Sequence, residues 1–134
     1  MNKSIILKRM IGILIALIPF ILVIILTVYD ERFFKIKTAI VGYIFFAMGG
    51  LISGLNFYFS FLRYGVYFVL GKTKQYQFVS GIPLLGFLTV VGLLLIPKSF
   101  VFSSLAFIFL IMDTGGIQWF IVCAWKDKSF WASE

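Results

Sequence analysis

The chain has 134 residues, 62% of them apolar and only 13% charged, where soluble domains carry roughly 45–50% and about 25%. A soluble fold cannot hide that apolar excess, whereas runs of ~20 apolar residues cross a bilayer as helices with every backbone hydrogen bond kept internal. The net charge of +7 lies between apolar runs rather than on one soluble basic face, which argues against nucleic acid and for membrane orientation.

The first apolar run, residues 11–29, follows Lys3, Lys8 and Arg9 and carries Pro19 near its middle. It is longer than the ~7–15 residues of a secretory h-region and exits into Tyr29, Asp30, Glu31 and Arg32, so it reads as an uncleaved signal anchor. Pro19 removes a backbone donor and favours a kink there. The loop that follows holds Asp30 and Glu31 beside Arg32, Phe33 and Phe34. It is either plain solvated charge or a contact for a foreign protein.

The second run extends from Thr38 to Leu70 with Arg63 as its only charge. The preferred cut is a span over residues 39–62, with Arg63 snorkelling and Tyr64 to Leu70 along the headgroups. The alternative is one long, tilted helix. Within it Gly42, Gly49, Ser53, Asn56, Ser60 and Arg63 recur at spacings of seven, four, three, four and three, which places them on one stripe. Small and polar residues mark a packed face in lipid, and Gly50 with Gly54 adds a GxxxG pair. The stripe either packs helices within the chain or forms a dimer seam or partner groove. Phe45, Leu51, Leu55, Phe59 and Leu62 face elsewhere, toward lipid.

Gly71 to Lys74 form a polar turn. A third span, residues 81–96, is expected with Ser80 as cap, Pro83 in the first turn and Pro97 as stop. The fourth, residues 100–125, is interrupted by Asp113-Thr114-Gly115-Gly116, with Trp119 and Trp125 suited to the far interface. The expected fold is thus an all-α integral membrane bundle of about four transmembrane helices, one domain over residues 1–134. Lys3, Lys8, Arg9, Arg63, Lys72, Lys74, Lys126 and Lys128 fall on one side and Arg32, Lys35, Lys37 and Lys98 on the other. The positive-inside rule then puts both termini in the cytoplasm.

Asp113 is the one carboxylate inside an apolar run, and an ionisable group at membrane depth asks for a partner or a function. Counted from the same end, it lies level with Ser53, which makes Asn56, one turn deeper, its first-choice partner. Arg63 lies about 10 Å beyond Asn56, so a direct ion pair requires a shift of helix frame. Asp113 is either a hydrogen-bonded packing group or a proton- or cation-coupling site. Gly115 and Gly116 either open the helix beside it and free carbonyls or merely permit close packing.

Catalysis and cofactors have little to stand on. A single cysteine, Cys123, and the lack of histidine remove an internal disulfide, the usual zinc and haem ligands, and Ser-His or Cys-His nucleophile pairs. Gly65 to Thr73 reads G-x-x-x-x-x-G-K-T, one residue too long for a phosphate loop and placed after a membrane helix rather than a strand. Asp113-Thr114-Gly115 copies the aspartic protease tripeptide, but that chemistry needs two carboxylates sharing a proton. No enzyme, metal or cofactor is expected.

Asn56 with Arg63, followed by Val79-Ser80-Gly81-Ile82-Pro83-Leu84-Leu85-Gly86, resembles segments of small bacterial inner-membrane proteins. The size and helix layout resemble the polytopic immunity proteins that shield bacteria from membrane-directed toxins. That resemblance implies a multi-pass protein of the bacterial inner membrane that captures a toxin's membrane-inserting helices, through the second-helix stripe or the outer loops. The competing expectations are a homo-oligomeric proton-coupled transporter or channel with Asp113 around a shared pathway, and an accessory subunit of a larger membrane complex.

Overall fold

A computed structural model of the protein describes residues 3–28, 39–70, 82–83, 85–125 and 131. All regular structure among these residues is helical: α1 (Lys3–Val28), α2 (Ala39–Phe57), a π turn (Tyr58–Leu62), α3 (Arg63–Val69), a 3-10 turn (Leu85–Phe87), α4 (Leu88–Leu95), α5 (Phe100–Met112) and α6 (Ile117–Ala124). Three stretches are long and apolar enough to cross a membrane: Ile5–Val28, Ala39–Val69 and Phe100–Ala124. Isoleucine stands exposed along all three, joined by leucine or phenylalanine in each, a surface that lipid rather than water accommodates.

Contacts along the helices fix their directions. Lys98 Nζ donates to the Val28 carbonyl, Phe20 stacks on Phe107, and Gly12 lies against Ile121 and Trp131, so α1 runs antiparallel to α5 and α6. Going along α2, Gly42 meets Leu95 and Ile96, Phe46 meets Gly92, Gly49 meets Thr89, and Asn56 meets Ile82, so α4 runs antiparallel to α2. Phe46 meets Phe102 and Phe109, Asn56 meets Asp113, and Phe61 meets Trp119, so α2 is parallel to α5 and α6. The buried apolar core, Val23, Phe46, Val90, Leu93, Ile96, Ala106 and Leu110, lies where α1, α2, α4 and α5 converge.

Three of the expected boundaries need correction. The first helix begins at Lys3 rather than at residue 11, so the basic residues Lys8 and Arg9 belong to it. The second helix does not stop at residue 62: it continues to Val69, and the turn at Tyr58–Leu62 widens to π geometry instead of breaking. Tyr64 to Val69 are therefore helix continuing along the same rod, because nothing between Phe57 and Val69 forces an end and a wide turn absorbs one extra residue. The third helix, expected to be short, starts later than residue 81 and is shorter still. Pro83 sits in a bend ahead of the helix, and the 3-10 turn and α4 together, Leu85–Leu95, rise roughly 16 Å against ~30 Å of hydrocarbon. Proline disfavours helix at the preceding Ile82, and both backbone groups of Ile82 are engaged by Asn56 instead of a helical ladder. Pro97 does follow the stop: Ile96 is already extended, at φ −88 and ψ 157. Pro19 lies buried inside α1, which is helical throughout. Ser80, Asp30, Glu31 and the Gly71–Lys74 turn lie outside the described residues.

Glycine brings α2 and α4 together. A Cβ on Gly49 would overlap the backbone and hydroxyl of Thr89, and one on Gly92 would overlap the Phe46 backbone. Close approach of this kind supplies the van der Waals contact that holds helices together where lipid offers no hydrophobic drive. Gly49→Val is expected to destabilise the bundle by about 1–3 kcal/mol through overpacking. Gly54→Val, whose Cβ would meet nothing within 4 Å, should leave stability within ~0.5 kcal/mol; reversible unfolding in detergent, followed by circular dichroism, distinguishes them.

Candidate functional site

The polar centre of the bundle is built around Asn56, wholly buried on the inner stripe of α2. Its amide nitrogen donates to Asp113 Oδ1 at 2.6 Å and to the Ile82 carbonyl at 2.9 Å, and its amide oxygen accepts the Ile82 N–H at 2.7 Å. One side chain thus ties α2 to the chain entering the 3-10 turn and to the interruption between α5 and α6. Asp113 is 1% exposed and also takes a hydrogen bond from the Gly115 backbone. Gly86 and Gly116 close on its other side, where a Cβ on either would collide with the carboxylate.

The interruption itself is the Asp113-Thr114-Gly115-Gly116 segment, which leaves helical geometry at Asp113 (φ −73, ψ 79) and re-enters after Gly116 (φ −74, ψ 163). Breaking a helix strands carbonyls that no lipid can satisfy. Gln118 Nε2 donates to the Leu110 carbonyl at 2.6 Å and to that of Asp113 at 3.3 Å, while Trp119 Nε1 donates to Ile111 at 2.8 Å. Side chains of α6 therefore reach back across the gap and complete the end of α5. The Leu110, Ile111 and Asp113 carbonyls at this gap are each occupied by a donor from α6.

Thr114 joins this centre to the π turn. Its hydroxyl donates to the Asn56 carbonyl at 2.9 Å, so at the 2.7 Å contact between Ser60 Oγ and Thr114 Oγ1 the Ser60 hydroxyl is the donor. A side chain bonded to a helix carbonyl is a recognised cause of local departure from α geometry, and the π turn begins two residues after Asn56.

The structure brings Asn56, Asp113 and Ser60 into one network. Ser53 is buried, but its hydroxyl has no hydrogen-bond partner, a condition shared by Thr89 across the same helix contact. Arg63 opens α3, half-buried, about two turns beyond Asn56. Gly42 and Gly49 are used in packing on α4 and Gly50 in packing on the Phe109 ring, whereas Gly54 faces open space. The glycine pair is consequently not one seam: its halves point at a ring and at nothing. Among the described residues no group of histidine, cysteine, aspartate or glutamate is placed to hold a metal.

Sequence reasoning missed Gln118, Thr114 and the Ile82 backbone. Gln118 carried a usable signal, as an amide within an apolar run five residues after the acid. The Trp119 indole, expected at the far interface, also serves the end of α5 through its bond to the Ile111 carbonyl. A cavity of about 230 Å³ adjoins the acid, lined by Pro19, Phe87, Leu110, Asp113, Gly116, Ile117 and Gln118.

Replacing Asn56 by Leu strands two Ile82 backbone groups and the Asp113 carboxyl at once, an expected loss of about 1–3 kcal/mol. Because Asn56 and Asp113 share a hydrogen bond, the double variant Asn56→Leu/Asp113→Leu should lose less than the sum of the single changes. Unfolding in detergent micelles measures both; strict additivity would mean that the pair is not coupled.

Comparison with known protein families, with curated proteins and with solved structures finds no match.

Proposed function

We propose that this protein acts by binding another protein within the bilayer, as an immunity-type protein of the bacterial inner membrane that holds the membrane-inserting helices of a toxin, with both of its own termini cytoplasmic. The observation that supports this reading is the closure of the polar centre. Asn56, Asp113, Thr114 and Gln118 bond one another and nearby backbone, which makes them a structural clamp and leaves the outer surface to act. That surface is apolar, and on the α2 and α3 rod it is open: Cβ atoms on Gly54 and Gly65 would meet nothing within 4 Å. An apolar groove of about 400 Å³ runs along Phe61, Leu62, Gly65, Val66, Val69 and Leu70. Small residues facing outward let another helix approach closely, whereas Gly42 and Gly49 on the inner stripe are already packed on α4.

A second reading, proton-coupled transport by a homo-oligomer, draws on one specific observation, the cavity that Asp113 shares with Pro19 and Gln118 at a broken helix. Broken helices and buried acids near mid-bilayer are hallmarks of transport sites.

The two readings diverge at single residues. For toxin capture, Gly54→Leu and Gly65→Leu should remove protection of cells challenged with membrane-inserting bacteriocins at unchanged membrane levels of the protein, while Asp113→Asn, a near-isostere, preserves it. For transport, Asp113→Asn should abolish flux driven by a pH gradient in vesicles and the glycine variants should not. Undiminished protection in both glycine variants withdraws this surface as the toxin interface.

A further inference from the structure

At the end of the bundle where α1 begins and α6 finishes, Arg9 stands against two indoles. Its guanidinium carbon is 5.0 Å from the centre of the Trp125 ring and 6.0 Å from that of Trp131, and the two rings meet edge to face at 6.3 Å. Trp131 is buried, with its Nε1 donating to the Ala124 carbonyl at 2.7 Å. Gly12 makes room for it, since a Cβ there would stand 2.9 Å from the ring edge. The arrangement is thus built from three segments, and cation–π contact holds the guanidinium plane in one place.

Among the described residues no acceptor stands on the inner nitrogen of this guanidinium, the buried Arg9 Nε, although an arginine has five donors arranged in a planar fork that matches phosphate. Lys8 adjoins it in sequence, Lys3 precedes it, and Lys126 and Lys128 follow α6 in the sequence. Trp125 is partly exposed, and tryptophans paired with basic residues at a helix end are the composition that meets headgroups.

We propose that Arg9, cradled by Trp125 and Trp131, binds the phosphate of an anionic phospholipid headgroup. The two terminal nitrogens of the fork, not the buried Nε, supply N–H donors to the phosphodiester oxygens, and the indoles fix their orientation and border the glycerol region of the lipid. Basic residues near a membrane surface discriminate anionic from neutral lipid by about five-fold each, so the preference expected from Arg9 is of that order. This site is independent of the clamp at Asn56 and of any toxin.

Tryptophan quenching tests it directly, using full-length protein in nanodiscs of phosphatidylcholine containing a minor fraction of either brominated phosphatidylglycerol or brominated phosphatidylcholine. Wild-type protein is expected to be quenched by the brominated phosphatidylglycerol at about one-fifth the fraction needed for the neutral lipid. Arg9→Gln should equalise the two lipids, Arg9→Lys should retain part of the preference, and Lys98→Gln at the opposite end of the bundle should change nothing. Excess inorganic phosphate should leave the preference intact. Equal quenching by both lipids in the wild type, or an undiminished preference in Arg9→Gln, overturns the proposal. So does loss of the preference on adding phosphate, which would assign the site to a soluble anion. Should Asp127→Asn/Glu134→Gln increase the preference several-fold, a tail carboxylate rather than lipid is the resident partner of Arg9, and the proposal is likewise overturned.

Discussion

A polypeptide inside lipid has no water to complete its hydrogen bonds, and among the described residues three departures from α-helical backbone converge on one residue and are completed from within. The entry to the 3-10 turn, the gap between α5 and α6, and the π turn of the second helix all gather around Asn56. An amide side chain suits this task because it donates and accepts in one plane, as a peptide group does. Asn56 therefore stands in for the backbone partner that Ile82 would have had in a regular element. The same nitrogen reaches Asp113, so the acid is held in a role that an apolar residue could not fill.

The remaining constraint is proximity. The amide reaches only as far as a hydrogen bond, which requires the α2 backbone to lie close to α4 and to the α5–α6 gap. Gly42, Gly49 and Gly92 permit the first approach, Gly50 accommodates the Phe109 ring, and Gly86 and Gly115 clear the space around Asp113 and Asn56. Packing and hydrogen bonding thus depend on each other here. Bulk at one glycine lengthens bonds at the clamp, and loss of the clamp frees chain whose packing depends on it. The unpartnered hydroxyls of Ser53 and Thr89 show that this interface tolerates imperfect satisfaction where closeness is the stronger need.

Much of this was legible in the sequence, and the parts that were not share a cause. Apolar run length shows the long helices, and a 3.6-residue period shows that Gly42, Gly49, Ser53 and Asn56 lie on one inner face, because both signals are local. Asp113 with Asn56 was within reach by counting depth along two helices. The shortness of the third element is legible from Pro83 and Pro97, but its starting point is not, because that is decided by Asn56, 26 residues earlier, which no local pattern around Ile82 reveals. The π turn escaped for the same reason: nothing in Tyr58 to Leu62 marks it, whereas the Thr114 hydroxyl that bonds the neighbouring Asn56 carbonyl comes from a residue 58 positions away. The cradle of Arg9 likewise joins the two ends of the chain, and only folding brings its tryptophans to it.

The brevity of α4 bears on how the protein comes to be made. A segment covering about half the hydrocarbon thickness gains too little from lipid to partition into the bilayer as an independent rod. Its receiving surface is the glycine-lined face of α2, synthesised before it, and the α5–α6 gap, synthesised after it. This stretch therefore leans on neighbours both earlier and later in the sequence, and its packing is complete only once Asp113 has reached Asn56.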